Sequence, residues 1–203
     1  MGDLLRPIFE DGYILVVDKP SGVPSQPTRT HQPNIYDDAC ARFPYVGLHH
    51  RLDTPASGLL LMTLHRDANA PIANAFRDHK IHRKYRAVLL GDPGTNGKWE
   101  GAIDGRPAQT HWTRIATAGG FSWIELTLAT GRKHQIRRHA LAAGHPIIGD
   151  RRYGGAAGQL WPRLALHAVQ LEFEHPISGE PVEVESPLPG DLLELVQQAK
   201  GAG

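Results

Sequence analysis

In THWTRIATAGGFSWIELTL, residues 110–128, two β-rich runs flank the pair Gly119-Gly120, and Trp123, Glu125 and Thr127 alternate with apolar neighbours. Period-two patterning on either side of a glycine pair specifies a β-hairpin, with strands over 110–117 and 121–128. Upstream, 85–90 has strand character and stops at Gly91, Asp92, Pro93 and Gly94; downstream, 132–143 predicts a basic helix closed by Gly144 and Pro146. Strands over 164–173 and 182–185 surround a turn at 176–181, and 192–199 predicts a closing helix.

Toward the N-terminus, 13–17 reads as a buried strand ended by the turn Asp18 to Gly22, followed by a Pro-, Thr- and Gln-rich loop over 23–33 and a short helix over 34–43. A polar turn over 48–53 leads into 57–64, whose continuous apolar run suits a central strand. Ile72, Ala75 and Phe76 at helical spacing predict a helix over 68–78, capped by Asp67. Strands in runs joined by hairpins give an α+β class, with a mixed, mostly antiparallel sheet, flanking helices and one domain over 1–203.

Composition narrows the function classes. At 203 residues, 40% hydrophobic and 21% charged, the chain is neither disordered nor collagenous. Its longest apolar runs, such as Ile14 to Val17 and Leu59 to Met62, fall far short of the ~18 residues a membrane helix needs. No membrane partner is expected. Asp3, Glu10 and Asp11 do not suit a signal peptide, and the single Cys40 makes no internal disulfide and no cysteine-rich zinc cluster, so a cytoplasmic location is expected. Net charge is only +1, yet cations gather at Arg77, Lys80, Arg83, Lys84 and Arg86, and again at Arg132, Lys133, Arg137, Arg138, Arg151 and Arg152. These are either solvated faces or a surface that meets phosphates.

Three constellations carry candidate chemistry. In HHRLDTPASG, residues 49–58, Arg51 and Asp53 share one side of an extended turn just before a buried strand, which suits a nucleophile or base as well as an ordinary bridged turn aspartate. In GRKHQIRRH, residues 131–139, helical spacing aligns Lys133 with Arg137 and His134 with Arg138, so cations line two strips or simply face solvent. His134 and His139 are five apart with no acid between them, and no metal site is expected. In IHRKYRA, residues 81–87, Tyr85 sits among cations, which suits a stacked base beside a phosphate clamp or half-buried packing.

Together the HRLD stretch at Asp53, Lys84-Tyr85-Arg86-Ala87, the GRKHQIRRH segment, RLALHA over 163–168 and HPISGE over 175–180 resemble the RluA-type pseudouridine synthases, in the family's order. VVDKPSG, residues 16–22, is similar to the family's N-terminal signature, and the likeness runs from about residue 8 to 187. The resemblance implies the pseudouridine synthase fold with a central cleft, and isomerisation of a specific uridine in structured tRNA or rRNA without metal or organic cofactor. It implies Asp53 as the catalytic carboxylate, acting on the uracil ring or at the ribose C1′. Tyr85 is implied to stack on the uracil, and Arg137 to pair with Asp53. Arg51 resembles the arginine that approaches the space a flipped base vacates, and His50 is expected to orient the loop. Arg51, Arg83, Lys84, Arg132, Lys133, Arg138 and Arg152 are the expected RNA contacts.

The family usually carries Thr where this chain has Ala56. No separate N-terminal RNA-binding domain is expected, Gly91 to Pro107 leaves little room for a large insertion, and a monomer is expected. The competing reading is a noncatalytic RNA-binding or chaperone module of the same fold. A glycoside hydrolase ranks last, because only Asp53 stands in a motif and such enzymes need two carboxylates.

Overall fold

The computed structural model describes residues 4–201. In chain order its strands are β1 (Pro7–Glu10), β2 (Ile14–Lys19), β3 (Gly47–Leu48), β4 (Ser57–Thr63), β5 (His82–Leu90), β6 (Asn96–Ile103), β7 (Arg106–Ala118), β8 (Phe121–Leu128), β9 (Leu166–Glu174) and β10 (Pro181–Glu185). The helices are α1 (Ile35–Cys40), α2 (Arg66–Arg77), α3 (Gln135–Ala142) and α4 (Gly190–Gly201), with a 3₁₀ turn at Gly155–Gln159. This is the α+β class expected. The chain packs as two compact units, the first holding the described residues up to Arg83 with Ala168–Ser186, the second holding Lys84–His167 with the residues from Pro187 onward.

In the first unit the strand order is β1-β2-β4-β9, with β10 antiparallel to β9. β2 runs antiparallel to β4 from Ile14 opposite Thr63 to Lys19 opposite Gly58. All seven residues of β4 are buried, which explains its unbroken apolar run: a strand covered on both faces has no solvent side on which to place polar residues. Ile14, Val16, Leu59, Leu61, Ile72, Leu171 and Phe173 meet in the core. Asn34 caps α1 by accepting the Asp37 N–H at 3.0 Å. α2 begins two residues earlier than predicted. Its cap is His65, whose Nδ1 accepts the Asp67 N–H at 3.2 Å, so Asp67 lies within the first turn.

In the second unit the order is β5-β8-β7-β6. The β7–β8 hairpin closes as predicted through Gly119 (φ 60°) and Gly120 (φ 79°), with Ala118 opposite Phe121. Two successive positive φ values make the primed turn whose twist matches the strands. β6, which sequence reading left unassigned, is an edge strand with most residues open to solvent. Its signal is the Asp104-Gly105 turn into β7, again with both φ positive.

The basic helix needs correction. α3 spans only Gln135–Ala142, and Arg132, Lys133 and His134 precede it, with His134 in the left-handed region at φ 55°. Lys133 and His134 therefore do not align with Arg137 and Arg138 as helical neighbours. Nor does the helix simply face solvent, since Gln135, Ile136, Arg137, His139 and Ala140 are all buried. Among the described residues no helix is long and apolar enough to cross a membrane.

Gly58, at φ +109°, lets β4 approach β9. A Cβ there overlaps the Ala168 carbonyl oxygen and lies 2.6 Å from its nitrogen. Gly58→Ala combines a disfavoured dihedral with a backbone collision that no rotamer relieves, and is expected to destabilise by at least about 2 kcal/mol. Urea denaturation should show this against Gly12→Ala, where the added methyl meets nothing within 4 Å.

Candidate active site

The loop that carries Asp53 is held by its backbone. In the first unit, the turn after β2 reaches across to it and occupies its carbonyl oxygens one by one. Ser25 Oγ donates to Leu52 O at 3.0 Å and accepts the Leu52 N–H at 3.1 Å. The Gly22 N–H donates to Thr54 O at 2.8 Å, and Ser21 Oγ to Pro55 O at 2.7 Å. The Lys19 ammonium, fully buried, donates to Ala56 O at 2.6 Å and Thr54 O at 3.2 Å, and to Val23 O and Pro20 O of its own turn at 2.7 and 2.9 Å. A buried ammonium is tolerable only where oriented dipoles replace its hydration, and four carbonyls do so here. The loop closes on itself as the Ala56 N–H donates to Asp53 O at 3.0 Å. The Asp53 residue is half-buried, Arg51 is exposed and Ala56 is buried.

His50 ties the start of this loop to the sheet. Its Nε2 accepts the Leu61 N–H at 2.9 Å, and its ring lies 4.8 Å from that of Phe76. Burial of the ring nitrogens, then the nearby Arg83 guanidinium and His49, push its pKa down to about 3. A neutral imidazole that uses Nε2 as an acceptor orients the loop and does not carry protons at neutral pH. Arg83 stands over the same Phe76 ring, its Cζ 5.7 Å from the centroid.

The second unit builds its group around Asp150. Arg137 grips that carboxylate bidentately, Nε to Oδ2 and Nη2 to Oδ1, both at 2.8 Å, with the two side chains 5% and 1% exposed. The Arg152 and Tyr153 N–H groups each donate to Oδ1 at 3.1 Å. Burial works to raise the Asp150 pKa, but Arg137 and these N–H groups outweigh it and hold the carboxyl below its usual range. The Tyr153 ring carries Arg137 at 5.0 Å and Arg152 at 5.4 Å, and its hydroxyl bonds His134 Nδ1 at 2.9 Å.

Gln135 fixes the segment that precedes α3. Its Oε1 accepts from Thr130 Oγ1 (2.7 Å) and the Arg132 N–H (3.0 Å), while Nε2 donates to Gln109 O (2.8 Å) and Thr110 Oγ1 (3.0 Å). Arg132 Nε donates to Pro107 O at 3.2 Å, and Arg138 pairs with the exposed Asp104 at 2.9 Å. Lys133 and Arg152 are exposed. Tyr85 is buried on β5 opposite Leu126, beside the half-buried Lys84 opposite Thr127.

Arg137 and Arg152 thus meet on one tyrosine, and His50 and Arg83 on one phenylalanine. Sequence reading did not single out Lys19, Gln135, Asp150 or Tyr153. The signals available were a Lys closing an apolar strand, a Gln at the start of a basic helix, and an Asp-Arg-Arg-Tyr run ringed by glycines.

Residues 13–142 match the family model described as RNA pseudouridylate synthase. Among curated proteins, the chain is 32% identical to the ribosomal large subunit pseudouridine synthase D of Nitrosomonas europaea, over 95% of this chain and 64% of that protein. The namesake from Zymomonas mobilis is 34% identical, over 93% and 70%. The dual-specificity RNA pseudouridine synthase RluA of Haemophilus ducreyi is also 34% identical, over 89% of this chain and 91% of that one. The chain therefore spans about two thirds of the large-subunit relatives. Among solved structures, human RNA pseudouridylate synthase domain containing 4 superposes with a TM-score of 0.78 at 21% identity, covering 96% of this chain and 93% of its own. The human domain containing 1 protein superposes at 0.76 and 26%, covering 98% and 95%.

The depressed His50 pKa links stability to pH. Between pH 6.5 and about 3 the unfolded chain binds a proton at His50 and the folded chain does not, so stability falls as pH falls through that window. His50→Gln, which keeps an acceptor for the Leu61 N–H, is expected to flatten the decline by up to about 1.4 kcal/mol per pH unit. Urea unfolding from pH 6 to pH 4 measures it; equal slopes in both proteins remove His50 as the origin.

Proposed function

Because the chain belongs to the RNA pseudouridylate synthase family, we propose that it isomerises a specific uridine of structured rRNA or tRNA to pseudouridine, with Asp53 as its catalytic carboxylate. It acts as one catalytic domain over 1–203, a cytoplasmic monomer that needs neither metal nor organic cofactor. What carries this reading is the family match over residues 13–142 together with a carboxylate-bearing loop whose carbonyls are fixed on either side of Asp53. The large-subunit names of several relatives favour rRNA, and the dual-specificity relative keeps a second kind of RNA in view.

In the reaction the N1–C1′ bond breaks, the uracil turns over, and a C5–C1′ bond forms; C5 loses its proton and N1 gains one. Asp53 either attacks the ring or assists departure from C1′. Both roles need an ionised carboxylate held in a fixed place. A loop anchored by Lys19, Ser21, Gly22 and Ser25 supplies that rigidity. Tyr85 supplies a ring for the everted uracil, and Arg137 a guanidinium that favours charge on the reacting acid. Everting the base costs a few kcal/mol, which phosphate contacts from Arg51, Arg83, Lys84, Arg132, Lys133, Arg138 and Arg152 help offset.

Asp53→Asn is expected to abolish tritium release from RNA labelled at uridine C5, with binding retained, and Tyr85→Ala to lower turnover more than affinity. Undiminished release by Asp53→Asn removes the acid from its role and favours the noncatalytic module. Affinity should also fall steeply with salt, since each phosphate contact displaces counterions; Lys133→Ala is expected to reduce the log–log slope by about 1. Filter binding between 50 and 200 mM salt measures the slope, and a flat response argues against this cationic surface.

A further inference from the structure

We propose that Asp150 is the positioning residue for Arg137, setting the direction in which that guanidinium faces the reaction. The inference rests on the reading of Arg137 as part of the active site.

Arginine has a long side chain with many rotamers, and a guanidinium serves as a reaction partner only when its orientation is chosen beforehand. Asp150 makes that choice through a fork-to-fork pair: Nε and one Nη2 hydrogen are spent on the two carboxylate oxygens, so the edge formed by Nη1 and the second Nη2 hydrogen is what Asp150 leaves to other partners. The carboxylate is itself immobile. It receives two backbone N–H groups on Oδ1, and its own carbonyl accepts the Gly154 N–H at 2.7 Å.

The surrounding loop is built for this closeness. A Cβ on Gly154 would lie 2.6 Å from Asp150 O, one on Gly158 at 2.7 Å from the same oxygen, and one on Gly149 would overlap the Arg163 carbonyl. Tyr153, held by its bond to Asp150, then packs its ring against the guanidinium, 5.0 Å from centroid to Cζ. The arginine is thus clamped by a carboxylate at its edge and an aromatic at its face. An ion pair this buried is poor evidence of stabilisation for its own sake, because desolvation offsets much of the attraction.

The test is a double-mutant cycle in single-turnover tritium release, using Asp150→Asn, Arg137→Lys and the double variant, with circular dichroism to confirm folding. Asp150→Asn is expected to lower the rate of the bound complex at least tenfold with RNA affinity changed less than twofold, and the double variant to be no slower than Arg137→Lys alone. A second readout is independent of activity. The Arg137 Nε–H should give a slowly exchanging signal in nitrogen-15 NMR at neutral pH that is lost in Asp150→Asn. Additive losses, a purely KM effect, or an Nε–H signal unchanged in Asp150→Asn would overturn the inference. If Asp150→Asn fails to fold, the NMR signal in Asp150→Glu decides, since the longer acid shifts the clamp and should broaden or move the resonance. Full activity of Arg137→Lys would instead sink the underlying assignment of Arg137, a separate result.

Discussion

The ammonium of Lys19, shut away from water and surrounded by carbonyl oxygens, is the contact on which the rest of the first unit's chemistry depends. Its cost is the desolvation of a full positive charge, and its return is that two chain segments more than thirty residues apart are fixed relative to each other. A methyl or hydroxyl at that place offers no such reach. Ser21, Gly22 and Ser25 extend the same logic with neutral donors, so the turn after β2 acts as a template for the loop after β3.

The second unit solves the matching problem for a cation in the opposite way. There a buried carboxylate is the fixed element and an arginine is what it fixes. Backbone N–H groups, which cannot rotate away, orient Asp150, and the acid then orients Arg137. In both units a side chain of one sign is set by groups whose own positions follow from the backbone, the route by which a fold converts secondary structure into preorganisation.

How much of this was legible in sequence depends on distance along the chain. The β7–β8 hairpin, the run of β4 and the capped α1 announce themselves within ten or twenty residues, because periodicity and turn chemistry are local. β6 escaped for the opposite reason: in an exposed edge strand, two glycines alternate with Trp99 and Ile103 and thin out the apolar face that would reveal it, though Asp104-Gly105 marks its end. The start of α3 was misread because three cationic residues fit a helix pattern equally well, whereas the Gln135 side chain, bonded to β7 and to the preceding loop, decides where the helix begins. Asp53, Tyr85 and Arg137 are proposed from motif alone. Lys19 and Asp150 were not found as participants, since what they do is visible only once distant segments meet.

The glycines at 149, 154 and 158 carry no reactive group, yet at 154 and 158 the chain wraps so tightly around the oxygen of residue 150, and at 149 around the carbonyl of residue 163, that a methyl has nowhere to go. A library of random variants selected for modification would return these three positions as intolerant as any that handles RNA. Intolerance in this segment would then report crowding, not reactivity, and a ranking of residues by mutational sensitivity alone would confuse the scaffold of the arginine with the arginine itself.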